Sequence, residues 1–269
     1  MAVLAVSVYR TMDKVMVGAI AGMAQNGLYE NAEKIIYCLS GFILALGTVM
    51  MPKISHMTEQ GRMEEVRQRL DTSMQLMMCM VCAMAFGLAA VARPFAVLFY
   101  GEDFARSGEL MIPLAFTLIL IGFANVIRTH WILPQKRDRL VLRSVLCGAA
   151  VNLAANSLLI PRMQAMGAVA GTLLAECTVP LVQYLYLRRE LPYRRYLGCL
   201  ACYACLGALM FAAVRLLGSV LNPGGWTALM LQTALGAALY CGSCLVLWRV
   251  TNNRAMLRLL PWRRGARSR

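Results

Sequence analysis

The chain has 269 residues, is 59% hydrophobic and 15% charged, and carries a formal net charge of +14 at pH 7. With a mean hydropathy of +0.60, it holds more apolar surface than a soluble domain of this size can hide, which excludes an ordinary water-soluble fold. Its apolar blocks, each roughly 18 to 25 residues, fit helices crossing about 30 Å of hydrocarbon, and without period-two alternation a transmembrane β-barrel is excluded.

The expected fold class is therefore all-α: a polytopic membrane helix bundle of about eight spans. In chain order the blocks are residues 1–24; 32–51, ended by Pro52; 70–92, ended by Arg93 and Pro94; 110–133, ended by Pro134; 140–160, ended by Pro161; 166–187; 196–217, followed by the Asn222-Pro223-Gly224-Gly225 turn; and 226–248. Proline and glycine fall where the hydropathy predicts boundaries. Pro113 and Pro180 fall inside spans, which membrane helices tolerate. The polar stretch 55–72 reads as a solvated connector, or a short helix lying on the membrane surface. No cleavable signal peptide is expected, because Arg10, Asp13 and Lys14 interrupt the first block.

The cations alternate from loop to loop. Lys53, Arg62, Arg67 and Arg69 follow the second block; Lys136, Arg137, Arg139 and Arg143 the fourth; Arg188, Arg189, Arg194 and Arg195 the sixth; and an arginine-rich tail the eighth. The positive-inside rule puts these loops, and both termini, in the cytoplasm. That uses most of the positive charge without nucleic acid, and loop arginines can also touch anionic lipid. The ten cysteines lie almost entirely in apolar blocks. Three-residue spacings such as Cys79/Cys82 and Cys241/Cys244 put soft side chains on one helix face, and no metal site is expected there.

Charges inside the blocks are costly and need a partner or a wet cavity. Arg10, Asp13 and Lys14 share a helix face, where Asp13 can neutralise one cation and leave the other for an anion. Glu30 and Lys34 form an i, i+4 pair read as interfacial. Arg128 lies near Asn125 and His130. It is a cavity candidate, although snorkelling of Arg128 and His130 to the interface is the preferred reading. Asn152 and Asn156 share a face, as helix glue or as cavity lining. Glu176, deep in the sixth block, is the best lone protonatable carboxylate. With no hydrolase constellation, Walker loop or HExxH pattern, the reading is of a protein that is not an enzyme.

Several ordered motifs add to this. They are Asp13-Lys14-Val15-Met16-Val17-Gly18; Gly27-Leu28-Tyr29-Glu30-Asn31-Ala32-Glu33-Lys34-Ile35; Ala45-Leu46-Gly47-Thr48-Val49-Met50-Met51-Pro52-Lys53-Ile54-Ser55; and Phe99-Tyr100-Gly101-Glu102-Asp103-Phe104. Asn152 to Asn156 with Leu158-Leu159-Ile160-Pro161, then Gly167-Ala168-Val169-Ala170-Gly171-Thr172 leading to Glu176, complete the series. Over about residues 1–190 this order resembles the C-terminal half of Wzx-type polysaccharide flippases, in the multidrug/oligosaccharidyl-lipid/polysaccharide (MATE-like) superfamily. Gln164 departs from the family, which usually has glycine there, so that turn is expected to differ.

The resemblance implies a six-span lobe over residues 1–190, two additional helices over 191–250 and a basic cytoplasmic tail over 251–269. It also implies that the chain is a fragment lacking the first lobe. The implied function is translocation of an undecaprenyl-pyrophosphate-linked oligosaccharide across the cytoplasmic membrane. Partners would be membrane lipid, that substrate, a polysaccharide polymerase and glycosyltransferases. No cofactor is implied beyond a coupling ion, H+ or Na+. Arg10 and Lys14 would face the anionic headgroup and Asp13 would set their charge, with Arg128, Asn152 and Asn156 as further cavity candidates, and Glu176 would couple to the ion. Lipid II flippases and cation-coupled drug exporters of the superfamily are the alternatives, and a non-transporting scaffold or inactive fragment is the alternative of another class. A membrane-embedded transferase is disfavoured by the short loops.

Overall fold

The computed structural model describes residues 2–221 and 225–257, with the side chains of residues 11–218, 225–253, 256 and 257. Among these residues every regular element is helical. The order is α1 (Ala2–Ala21), α2 (Met23–Glu59), α3 (Met63–Tyr100), a 3-10 turn (Glu102–Phe104), α4 (Ala105–Ala115), α5 (Thr117–Ile127), a π-helical turn (Arg128–Ile132), α6 (Asp138–Met163), α7 (Ala165–Leu187), α8 (Tyr193–Leu221), α9 (Trp226–Val250) and α10 (Arg254–Leu257). Among the described residues seven segments are long and apolar enough to cross a membrane, with the α4–α5 run counted as one. The 20-residue α1 carries Arg10, Asp13 and Lys14 in addition. This is a polytopic helical bundle.

Pro134 follows the end of the fourth span as predicted, but three other prolines do not end helices. Pro52 lies inside α2, Pro94 inside α3 and Pro161 inside α6. Proline removes one backbone donor, and a helix that keeps its packing face continues past it. Nor is the 55–72 stretch a connector or a separate surface helix. The end of α2 and the start of α3 extend through it, leaving only a tight turn at residues 60–62. Ile54 and Met57 on α2 and Val66 and Leu70 on α3 are buried, so this stretch is an apolar seam with a polar outer face. Arg62 clamps the turn by pairing with Glu65.

The fourth span is jointed. Proline at 113 weakens the ladder, and the helix breaks at Phe116, whose amide bonds to Pro113 O at 3.1 Å. It ends in the π-helical turn that carries Arg128, Thr129 and His130. Such turns widen a helix and re-aim its side chains.

α1 packs on α2, α6 and α7, and α6 and α7 form a close antiparallel pair. Gly167 lets the backbone of α7 press on the Leu159 carbonyl, and Gly171 lies against the Asn156 side chain. Small residues bring membrane helices together in this way. On the far side α3 packs on α4, α5, α8 and α9, joining the last two long helices to the rest. One end of the bundle gathers the cationic loops. Arg195 pairs with Asp71 at 2.7 Å, Arg137 with Glu190 at 2.8 Å, and Asn253 Nδ2 donates to Gln75 Oε1 at 2.7 Å.

Candidate functional site

The deepest charged group described is Asp13. Its side chain is buried at 3% exposure where α1, α2, α6 and α7 converge. Asn156 Nδ2 on α6 donates to its Oδ1 at 2.6 Å, and Tyr29 Oη on α2 and Thr172 Oγ1 on α7 each reach Oδ2 at 3.1 Å. Tyr29 and Thr172 also touch each other at 3.0 Å. Behind them Asn156 Nδ2 reaches Asn152 Oδ1 at 3.2 Å. Asn152 Nδ2 and Asn156 Oδ1 stay buried with no partner among the described residues.

Of the two cations that could pair with Asp13 on α1, Lys14 is paired elsewhere. Lys14 does not lean on Asp13. It pairs with Glu33 of α2 at 3.1 Å, while the described partners of Asp13 are neutral hydrogen-bond donors. Two-helix packing causes this: Asp13 faces the bundle interior, whereas Lys14, one residue on, faces the flank where Glu33 lies. The side chain of Arg10 lies outside the described residues. Glu30 and Lys34 form the expected exposed i, i+4 pair, at 3.3 Å.

Two small cavities open beside this junction. One, of about 50 Å³, is lined in part by Asp13, Glu33, Ser40, Thr172 and Glu176. The other, of about 130 Å³, is lined in part by Asn125, Arg128, Ser144, Glu176 and Gln183. Glu176 and Ile121 line both, so Glu176 stands on the wall between the Asp13 cluster and Arg128.

His130 is buried rather than snorkelling, and Arg128 is half-buried beside the larger cavity. Arg128 Nη2 donates to Asn125 Oδ1 at 2.7 Å, and Asn125 in turn donates to Ile43 O at 3.1 Å. His130 is buried and shares a 2.8 Å hydrogen bond with Thr129. Both sit on the π-helical turn, a backbone geometry that regular helical spacing does not anticipate. Asn152 and Asn156 belong to the support of Asp13 and line neither cavity.

Tyr29, Thr172 and Gln183 are the contributors that sequence reasoning overlooks. Tyr29 and Thr172 nonetheless sit inside motifs already quoted: Tyr29 one turn before Glu33, and Thr172 one turn before Glu176. On helices those spacings put each pair on one face.

At the cationic end Glu190 accepts from Trp131 Nε1 at 3.1 Å and from Arg137 Nη1 at 2.8 and 2.9 Å. Partial burial works against its charge, but the hydrogen bonds from Arg137 and Trp131 outweigh it. They hold this carboxyl below its ordinary range.

A family model described as the lipid II flippase MurJ matches residues 5–234. The chain belongs to the MurJ family. This is a family of membrane transporters rather than enzymes, and of the flippase types suggested by the motifs the match falls on the lipid II type. Two relatives come from Bacillus subtilis (strain 168). The uncharacterized membrane protein YabM is 25% identical over 215 residues, 79% of this chain and 38% of YabM. The lipid II flippase MurJ is 24% identical over 226 residues, 78% of this chain and 41% of that protein. The chain thus spans about four tenths of the length of the curated relatives it matches. A solved structure of a lipid II flippase MurJ in an inward closed conformation shares the fold, with a TM-score of 0.74. It is 13% identical and is matched over 91% of this chain and 52% of that one.

Proposed function

We propose that this MurJ-family chain acts in flipping a polyprenyl-diphosphate-linked saccharide, with lipid II as cargo, across the cytoplasmic membrane. The observation that carries this reading is the family match over residues 5–234. It supports lipid II over the O-antigen or capsule cargo suggested by the Wzx-type resemblance.

In this reading residues 1–190 supply one lobe of a two-lobed transporter, 191–250 two further helices and 251–269 a basic tail. Both ends of the chain face the cytoplasm, by the positive-inside rule. The enzymes that make and consume the lipid-linked saccharide would be its neighbours. Arg10 and Lys14 on α1, and Arg128 beside the larger cavity, are proposed to meet the diphosphate. Charge-assisted contacts to phosphate are the strong ones.

Asp13 is the proposed coupling group, ahead of Glu176. A carboxylate this buried is costly unless it gains a positive partner. A proton or a Na+ ion supplies one, and the oxygens of Thr172, Asn152 and Asn156 stand close by. Filling and emptying the site then biases one packing of α1 against α6 and α7 over another. Glu176, between the two cavities, links that event to Arg128.

The test is complementation. The protein carrying this chain is expressed in bacteria depleted of their own lipid II flippase, and the lipid II reaching the outer leaflet is measured. Restored growth with outward-facing lipid II supports the cargo assignment. Cytoplasmic-leaflet accumulation despite membrane insertion removes it, and rescue confined to a strain lacking an O-antigen flippase returns the assignment to the Wzx type.

A further inference from the structure

Away from the Asp13 junction, at the cationic end of the bundle, α6 and α7 enclose an open pocket of about 700 Å³. Its floor is Leu140 and Leu187, both buried. Lys136, Arg137, Arg139 and Arg143 line it against only Asp138 and Glu190. Glu190 is already engaged by Arg137 and Trp131. Lys136, Arg139 and Arg143 have no carboxylate partner among the described residues. The first turn of the 26-residue α6 forms part of the wall, and its partial positive charge is set against Asp138 in that same turn, leaving the three side-chain cations unbalanced. Arg143 lies over the Tyr186 ring at 6.0 Å and reaches its hydroxyl at 3.5 Å, which fixes one cation at the pocket mouth.

Beyond the pocket, both helices expose leucines. Leu146 lies one turn beyond Arg143 on α6 and Leu153 two turns further, while Leu181 and Leu185 precede Tyr186 on α7. All four are about half exposed. A free phosphate has no use for such a strip, whereas a lipid has both a phosphate and chains to lay on it. We propose that this pocket is a binding site for an anionic phospholipid, with the phosphate held by Lys136, Arg139 and Arg143 and the acyl chains on the leucines of α6 and α7. This site is independent of the cargo assignment. Its ligand is a resident lipid of the adjoining leaflet.

The experiment is native mass spectrometry on the full chain, delipidated and then supplied with phosphatidylglycerol or phosphatidylcholine in equal amounts. The unaltered chain should retain phosphatidylglycerol preferentially. The triple variant Lys136→Gln/Arg139→Gln/Arg143→Gln should lose at least about tenfold in affinity, since each cation near such a headgroup contributes appreciably. The charge-keeping variant Lys136→Arg/Arg139→Lys should retain it, which separates charge from folding. Equal retention by the triple variant, or no preference between the two lipids, overturns the site. Displacement of the lipid by millimolar inorganic phosphate overturns the lipid assignment and leaves an anion pocket.

Discussion

Where α1, α2, α6 and α7 meet, the chain buries a carboxylate, two carboxamides and two hydroxyls. Where α3, α8 and α9 meet, it buries sulfur, aromatic rings and glycine. In the second region Cys79 Sγ touches Cys244 Sγ at 3.7 Å, the Phe86 ring fills the space above Gly207, and Val214 and Met210 lie over Gly236. Its few polar groups are matched: Tyr240 Oη donates to Cys79 O at 2.8 Å, and Trp248 Nε1 to Tyr203 Oη at 2.8 Å. In the first region two amide atoms of Asn152 and Asn156 stay unmatched around a buried carboxylate. Membrane helices need no buried charge to associate, since packing of small and soft side chains suffices. The difference is one of chemistry: packing of small and soft side chains is enough to hold the seam, whereas the junction concentrates the polar groups on which the proposed coupling role rests.

The sharpest way to break this contrast is Asp13→Asn in the protein carrying this chain. The change keeps the volume and removes a buried charge. Transport should fall by more than about a hundredfold, as expected when a coupling charge inside the membrane is lost. Thermal stability in detergent should hold or rise, the trade-off seen where a site is built at the expense of stability. Normal transport, read as outward-facing lipid II, would remove Asp13 from the mechanism. A collapse of stability would make it a structural group instead.

The seam should respond in the opposite sense. A methyl added at Gly207 meets the Phe86 ring. Gly207→Ala should therefore destabilise the fold by about 1–3 kcal/mol, the usual cost of overpacking a tight contact. Transport per folded molecule should not change. Thermal unfolding in detergent measures the first and a flux normalised to folded protein the second. An unchanged midpoint would mean that α8 sits further from α3 than described.

Much of this was legible beforehand, and the exceptions have specific causes. Hydropathy and charge alternation locate the long helices and gather the cations at one end, because the bilayer imposes both on composition. Asp13 stands out from depth alone. Its partners do not, since Tyr29 and Thr172 are ordinary residues until α2 and α7 bring them to one carboxylate, 143 residues apart in the chain. Arg128 and the buried His130 sit on a π-helical turn, and local backbone widening has no hydropathy signature. Proline misleads at 52, 94 and 161 because it marks a lost donor rather than a lost helix.

Gln164 offers a finer test of the junction. It joins α6 to α7, the pair that delivers Asn156 and Thr172 to Asp13. The flippases resembled usually have glycine at this position. Gln164 takes φ 54 and ψ −134, a conformation suited to glycine. Its amide bonds to Ile160 O at 2.8 Å, and its carbonyl receives the Gly167 amide at 2.9 Å, so the glycine-type turn is kept with the wrong side chain in it. Holding an L-residue there costs about 1–3 kcal/mol, and glycine returns about 0.5–1 kcal/mol of that through its freer unfolded state. Gln164→Gly should then stabilise the protein by about 1 kcal/mol, a rise of a few degrees in the thermal midpoint, with transport unchanged. Gln164→Val should lower the midpoint, because a β-branched residue tolerates positive φ least. If both variants melt with the parent, the α6–α7 turn is not under strain, and Asn156 and Thr172 owe their positions to the glycine contacts at 167 and 171 alone.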